Sequence, residues 1–132
     1  MSALGSPQRP LVLGMHVDHV EFDQAAEAIA RWVTEAGNPV QSGAAAGSSG
    51  SQRTICAANV HMVMEARDDA AFQQMVNSAD LVVADGQPMV WALRLQGVPQ
   101  QRRVRVSPNL IVRLLTEGER CGWRLGLYGG SD

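Results

Sequence analysis

The stretch Ala79-Asp80-Leu81-Val82-Val83-Ala84-Asp85-Gly86-Gln87-Pro88-Met89-Val90-Trp91 decides how this chain folds. Leu81 to Ala84 is an apolar run of strand length. Pro88 to Leu95 carries helical spacing, with Pro88 in the first turn, where its missing N–H costs nothing. The Asp85-Gly86 junction therefore lies at the carboxyl end of a strand and beside a helix N-terminus, the rim on which open α/β sheets place their ligands. Two readings of Asp85 compete. In the local one, Asp-Gly is turn chemistry, with Gly86 supplying a positive φ and Asp85 capping the helix. In the functional one, the carboxylate belongs to a binding crevice.

Working outward, Thr54 to Ala58 reads as a buried strand that exits at Asn59 into a helix carrying Met62, Val63 and Ala66. Asp68 has the character of an N-cap for a second helical segment, with Phe72, Met75, Val76 and Ala79 along its inner face. Nearer the N-terminus, residues 1–10 form a loose leader, and Leu11 to Val20 is one strand or two short extended segments. Phe22, Ala25, Ala26, Ile29, Ala30 and Val33 then make Asp23 to Glu35 an amphipathic helix ending near Gly37 and Pro39. Residues 40–52, rich in Gly, Ser and Ala, lack the apolar surface to order themselves and read as a flexible surface insertion. Downstream, Gln96 to Arg105 is polar and basic and reads as a loop. Pro108 to Glu119 forms a helix buried through Leu110, Ile111, Leu114 and Leu115, and Arg124 to Tyr128 makes a final strand running into Gly129-Gly130. Strands alternating with helices predict one α/β domain over 11–132, a Rossmann-like parallel sheet with helices on both faces.

A chain of 132 residues, 45% hydrophobic and 18% charged, suffices for one domain with a real core. Its net charge of −2 offers no electrostatic case for nucleic acid. Cys56 and Cys121 form neither a disulfide framework nor a zinc pattern, so a reducing cytoplasm is the default compartment. With no signal core and no apolar run of the roughly 20 residues that a span needs, any membrane contact is peripheral.

Three strand exits point at one rim: Ala58-Asn59, Asp85-Gly86 and Tyr128-Gly129-Gly130. Small or polar residues at such exits are how doubly wound folds assemble a nucleotide or sugar crevice, although a glycine pair without GxGxxG serves equally as a plain turn. His16, Asp18 and His19 raise the question of a metal. In an extended strand His19 faces away from the other two, so no metal site is expected. His61, at a helix start after Asn59, has the position either of a residue that reaches the crevice or, in the preferred reading, of a capping or solvated one, and no serine sits in a G-x-S-x-G elbow. Arg102, Arg103 and Arg105 are either a solvated basic loop or a clamp for pyrophosphate.

Asn59-Val-His-Met-Val-Met-Glu-Ala66, Phe72…Asn77-Ser-Ala-Asp-Leu81, Asp85-Gly-Gln-Pro-Met-Val-Trp91, Leu95-Gln-Gly97, Arg103-Val104 and Leu127-Tyr-Gly-Gly130 together resemble the WecG/TagA/CpsF family of bacterial glycosyltransferases, in order and spacing, over most of Leu11 to Gly130. The resemblance implies metal-independent, cofactor-free, inverting transfer of an N-acetylmannosamine-type sugar or related hexose. The donor would be a UDP-sugar and the acceptor a polyprenyl-diphosphate-linked sugar, in cell-surface polysaccharide synthesis at the inner face of the cytoplasmic membrane. It makes Asp85 the catalytic base and gives Asn59, Gly86, Gln87, Arg103, Gly129 and Gly130 substrate-binding roles, Asn59 on a sugar and Arg103 near phosphate. The chain departs from the family at Ala57, where many relatives carry Thr. It departs again at Val106-Ser107-Pro108-Asn109-Leu110, which lacks the family's glycine and has Asn109 for its aspartate. The resemblance also implies that these residues are the N-terminal portion of such an enzyme, with an incomplete sheet edge that invites pairing with a second copy. Against this reading stand a non-catalytic nucleotide-sugar-binding module and an unrelated receiver-like α/β domain. The latter lacks the acidic cluster after its first strand that Mg²⁺ would require.

Overall fold

The structure, a computed structural model, describes residues 9–36, 52–98 and 101–130; the expected Gly/Ser-rich insertion lies outside the described residues except for Gln52, as does the leader up to residue 8. In chain order the elements are β1 (Leu11–Val12), β2 (Met15–His16), α1 (Phe22–Glu35), β3 (Ile55–Ala58), α2 (Val60–Asp68), α3 (Ala70–Asn77), β4 (Leu81–Ala84), α4 (Gln87–Leu95), a π-helical turn (Val106–Leu110) and α5 (Ile111–Cys121).

β4 is the organising element. Its side chains alternate between two apolar clusters with the period of a strand. Val82 and Ala84 join Met15, Val17, Val63, Val76, Met89 and Leu93 on one face, while Leu81 and Val83 join Val20, Ala25, Ala26, Val104 and Leu110 on the other. Burial on both faces explains why this segment reads as a continuous apolar run. Each buried valine or leucine in it contributes on the order of 1.5–3 kcal/mol. β3 lies parallel to β4 in the register Ile55↔Leu81 to Ala58↔Ala84, with α2 and α3 making the crossover. Among the described residues the parallel sheet is these two strands, so the parallel pairing and the helices on both sides are present while a full Rossmann-like order is not formed.

The Leu11 to Val20 segment resolves into two short strands of an antiparallel hairpin and an extended run beside β4. Leu13 and Gly14 turn the hairpin with φ of 49° and 87°, the positive pair that a tight hairpin demands. A Cβ on Gly14 would stand 2.5 Å from Gln73 Nε2, so glycine is required there for space as well. Asn77 clamps the hairpin, accepting from His16 N at 2.8 Å and donating to the Gly14 carbonyl at 2.9 Å. The leader is not loose to its end: Arg9 Nη2 donates to the Ala79 carbonyl and Val17 N to that of Pro10.

Several expectations are corrected. β3 is not buried throughout; it is exposed at Ile55, which lines an open cavity with Ile29, Trp32 and Val33 of α1, and closes only at Ala58. The cap of α3 is Asp69, whose carboxylate accepts from Ala71 N and Phe72 N, whereas Asp68 pairs with Arg67; Met75 faces solvent. The stretch 96–105 is more than a polar loop, since Val98, Gln101 and Val104 are buried and Val104 N donates to the Ala84 carbonyl along β4. The helix after it opens with a π turn, Leu110 N donating to the Arg105 carbonyl. It packs along the row Leu110, Leu114 and Gly118, leaving Ile111 and Leu115 exposed.

No strand forms over Arg124 to Tyr128. Gly122, with φ 72°, ends α5, and the chain folds back so that a Cβ on Gly118 would meet Leu125 Cδ1 at 3.2 Å and Trp123 Cε3 at 3.3 Å. Packing on α5 takes the place of strand pairing, and Leu127 and Tyr128 are left fully in solvent.

Candidate active site

The parallel register assembles the site. Ala58 and Ala84 are the last paired residues of β3 and β4, so Asn59 and Asp85 leave the sheet side by side, fastened by Asp85 N donating to the Ala58 carbonyl at 2.9 Å. At the opposite end of the strands Asp80 pins the same register, accepting from Thr54 N and Arg53 Nη1 at 2.9 Å each. Those bonds hold the Asp80 carboxyl below its ordinary range, the Thr54 N–H contributing most.

Asn59 is the N-cap of α2. Its Oδ1 accepts from Met62 N at 3.0 Å, which leaves the amide NH₂ without a partner among the described residues. Gly86 stands beside it, since a Cβ there would lie 4.0 Å from Asn59 Cβ. Gly86 is itself the N-cap of α4, with the expected positive φ, 159°, a conformation that residues with side chains rarely adopt, and no side chain caps that helix. The local reading of Asp85 as a helix cap is therefore corrected. Its carboxylate is committed instead to Arg103, whose Nε lies 3.6 Å from Oδ1. Gln87 opens α4 on the surface; Pro88 after it has no N–H, and the N–H groups of Met89 and Val90 donate to the Gly86 carbonyl.

Arg103 reaches Asp85 because two bonds steer its segment. Arg94 Nε donates to the Gln101 carbonyl at 3.1 Å, and Val104 N donates to the Ala84 carbonyl at 2.9 Å. Sequence reasoning overlooked Gln101. Fully buried, it donates from Nε2 to the carbonyls of Val20 and Arg102, while its Oε1 has no partner. Nothing in a glutamine within a polar stretch signals such a role. Arg102 and Arg105 are exposed and make no contact with Asp85.

No strand delivers Gly129 and Gly130 to this rim. With no strand before them, they lie exposed, and a Cβ on either would meet nothing within 4 Å. His61 is solvated, its Nε2 3.6 Å from Glu65 Oε2. Asp18 is a structural anchor: it is buried, paired with Arg9 Nε at 2.6 Å, and accepts from Val82 N at 2.7 Å. Among the described residues no group of three or more His, Cys, Asp or Glu is placed to hold a metal ion. A shallow cavity of about 180 Å³, lined by Ile29, Trp32, Val33, Ala36, Arg53 and Ile55, lies at the other end of β3 from Asp85, and its one cation is already paired with Asp80 and stacked over Trp32. The Asp85 rim brings together a carboxylate, an amide NH₂ with no partner among the described residues and a guanidinium beside the start of a helix.

The model of the glycosyl transferase WecG/TagA/CpsF family matches residues 10–132 of this chain. No curated protein matches it.

Proposed function

Because the chain belongs to the WecG/TagA/CpsF family of glycosyl transferases, we propose that it takes part in transfer of an N-acetylmannosamine-type sugar from a UDP-sugar to a polyprenyl-diphosphate-linked acceptor, with Asp85 as the general base. The family carries the coarser statement, a glycosyltransferase of cell-surface polysaccharide synthesis that uses a nucleotide-sugar donor and a lipid-linked acceptor. The observation that carries the finer one is the state of Asp85. It stands at a strand exit beside Asn59, free of any capping duty, with one long ion pair to Arg103.

In this reading the acceptor hydroxyl oxygen attacks the anomeric carbon of the donor. The bond from that carbon to the diphosphate oxygen breaks, its electron pair leaves with UDP, and the acceptor proton passes to the Asp85 carboxylate. Arg103 orients that carboxylate and presents its remaining N–H groups to phosphate. The free amide of Asn59 holds a sugar hydroxyl or carbonyl. The N–H groups of Gly86 and Gln87 lie where a helix start favours negative charge, next to the diphosphate. The lipid-linked acceptor brings the reaction to the inner face of the cytoplasmic membrane.

The test pairs calorimetric titration of UDP and UDP-N-acetylmannosamine with a transfer assay on the same protein. Asp85→Asn keeps side-chain size and removes basicity, so donor affinity is retained while turnover falls by about 10²-fold or more. Asn59→Ala weakens binding and turnover together. Near-normal turnover by the Asp85→Asn enzyme removes the aspartate from the mechanism.

A further inference from the structure

Among the described residues the polar side chains buried outright are Asp18 and Gln101. Asp18 is matched by Arg9 and by the Val82 N–H. Gln101 is matched on one side only: Nε2 donates to the Val20 carbonyl at 3.1 Å and to the Arg102 carbonyl at 2.6 Å, while Oε1 has no partner among the described residues. Two carbonyls facing the amide fix its orientation, since an oxygen in the place of Nε2 would be repelled by both. Burying an acceptor without a donor carries a cost that a methionine of similar length would not incur. A glutamine in this place is therefore explained by what its NH₂ group holds.

What it holds is the peptide that leads into Arg103. The Arg102 carbonyl and the Arg103 N–H belong to one planar unit, so the bond from Gln101 sets the backbone on the N-terminal side of Arg103. On the other side, Val104 N donates to the carbonyl of Ala84, the residue before Asp85. Arg103 is thus set between two fixed points, one of them the strand end that also carries Asp85. The second bond of the amide, to Val20, ties it to the segment that enters α1, and the Gln101 carbonyl accepts from Arg94 of α4 at 3.1 Å. The guanidinium of Arg103 stands 3.6 Å from Asp85 with both side chains partly in solvent. An ion pair of that kind is too weak to hold its own geometry, which must come from the backbone beneath it.

We propose that Gln101 is the positioning residue for the Asp85–Arg103 pair: its buried NH₂ group, bonded to the Arg102 carbonyl, holds Arg103 where its guanidinium faces the Asp85 carboxylate. Gln101 touches neither substrate nor reacting atoms and acts only through Arg103. The positioning stands on the geometry alone, and its consequence for turnover rests on the transfer reading.

The experiment observes the arginine Nε–H signals of the full chain in proton–nitrogen correlation spectra, with Arg103 assigned by the signal lost in Arg103→Gln. Asp85→Asn moves the Arg103 signal toward that of a solvated arginine. Gln101→Met, which keeps side-chain length and removes the donor, moves it the same way while the circular-dichroism spectrum is unchanged. Gln101→His, which keeps an N–H at similar reach, retains the wild-type Arg103 signal. In the transfer assay Gln101→Met lowers turnover by about tenfold or more, yet costs less than about twofold once Arg103 is already glutamine, because the two residues act as one unit. An Arg103 signal unmoved by Gln101→Met overturns the proposal, as do turnover losses that multiply independently, the mark of a merely structural glutamine. If Gln101→Met does not fold, the wild-type chain and the histidine variant decide. A Gln101 side-chain amide protected from exchange, with the Arg103 signal retained in Gln101→His, upholds the proposal; a freely exchanging amide or a displaced signal overturns it. Absence of transfer in the wild type, with the Arg103 signals behaving as described, sinks the transfer reading and leaves the positioning intact. Undiminished transfer by folded Gln101→Met does the opposite.

Discussion

Asp18 and Asp85 are both carboxylates set against β4, and the difference between them separates structure from chemistry. Asp18 is buried and spends its oxygens on Arg9 and on the Val82 N–H. Asp85 keeps one long contact, 3.6 Å to Arg103, at a rim open to solvent. Removing a partner from a buried, charge-assisted set strands the other members, so Asp18→Ala costs about 2–4 kcal/mol in urea unfolding, the Val82 N–H and the Arg9 guanidinium being left unmatched. Asp85→Asn falls within about 0.5 kcal/mol of the wild type in the same measurement, since a half-open ion pair contributes little. Equal losses at the two positions would make Asp85 a structural residue and remove the reason for assigning it a reaction. Sequence alone placed His16, Asp18 and His19 under one question about metals. What it could not show is that Asp18 meets an arginine nine residues earlier and a strand 64 residues later.

At the scale of elements, helix caps show where local pattern suffices and where it stops. An acidic pair precedes α3, and only the backbone decides which member caps: Asp69 has extended geometry and bonds two N–H groups, while Asp68 ends α2 against Arg67. Asp69→Ala therefore lowers stability by about 1 kcal/mol, whereas Asp68→Ala leaves the melting temperature unchanged; thermal unfolding followed by circular dichroism reports both. The reverse order would restore the sequence assignment. The same boundary between local and tertiary information runs through the site. Asn59 and Asp85 were legible because each follows a short apolar strand with a small-residue exit, and parallel pairing does the rest. The position of Arg103 was not legible, because it depends on Gln101 being buried and on Val104 continuing along β4. Arg124 to Tyr128 has the composition of a strand, but a strand needs a neighbour's hydrogen bonds, and here Trp123 and Leu125 pack on α5 instead. That is why no strand carries Gly129 and Gly130 to the rim that sequence assigned them.

For the molecule as a whole, the register of β3 against β4 is the quantity on which core and site both depend. Sliding the strands by one residue would turn every side chain of β3 to the opposite face and separate Asn59 from Asp85. Asp80 resists that slip from the far end, through Thr54 N and Arg53, and these bonds depress its carboxyl below the ordinary value of 3.8. A carboxyl whose folded value lies below its unfolded one binds fewer protons in the native state. Its contribution to stability is thus complete above 3.8 and disappears as pH falls through the lower folded value. Asp80→Asn removes that contribution. The variant is less stable than the wild type by about 1 kcal/mol near neutral pH, and the two converge in strong acid. Comparing them pair by pair cancels the other titrating carboxylates, such as Asp68 and Glu117, which arginines also hold below their ordinary values. Urea unfolding across the acid range reads the convergence directly. A gap that stayed constant with pH would mean that Asp80 acts by shape rather than by charge, and a gap that widened in acid would contradict the depressed ionisation from which this expectation follows.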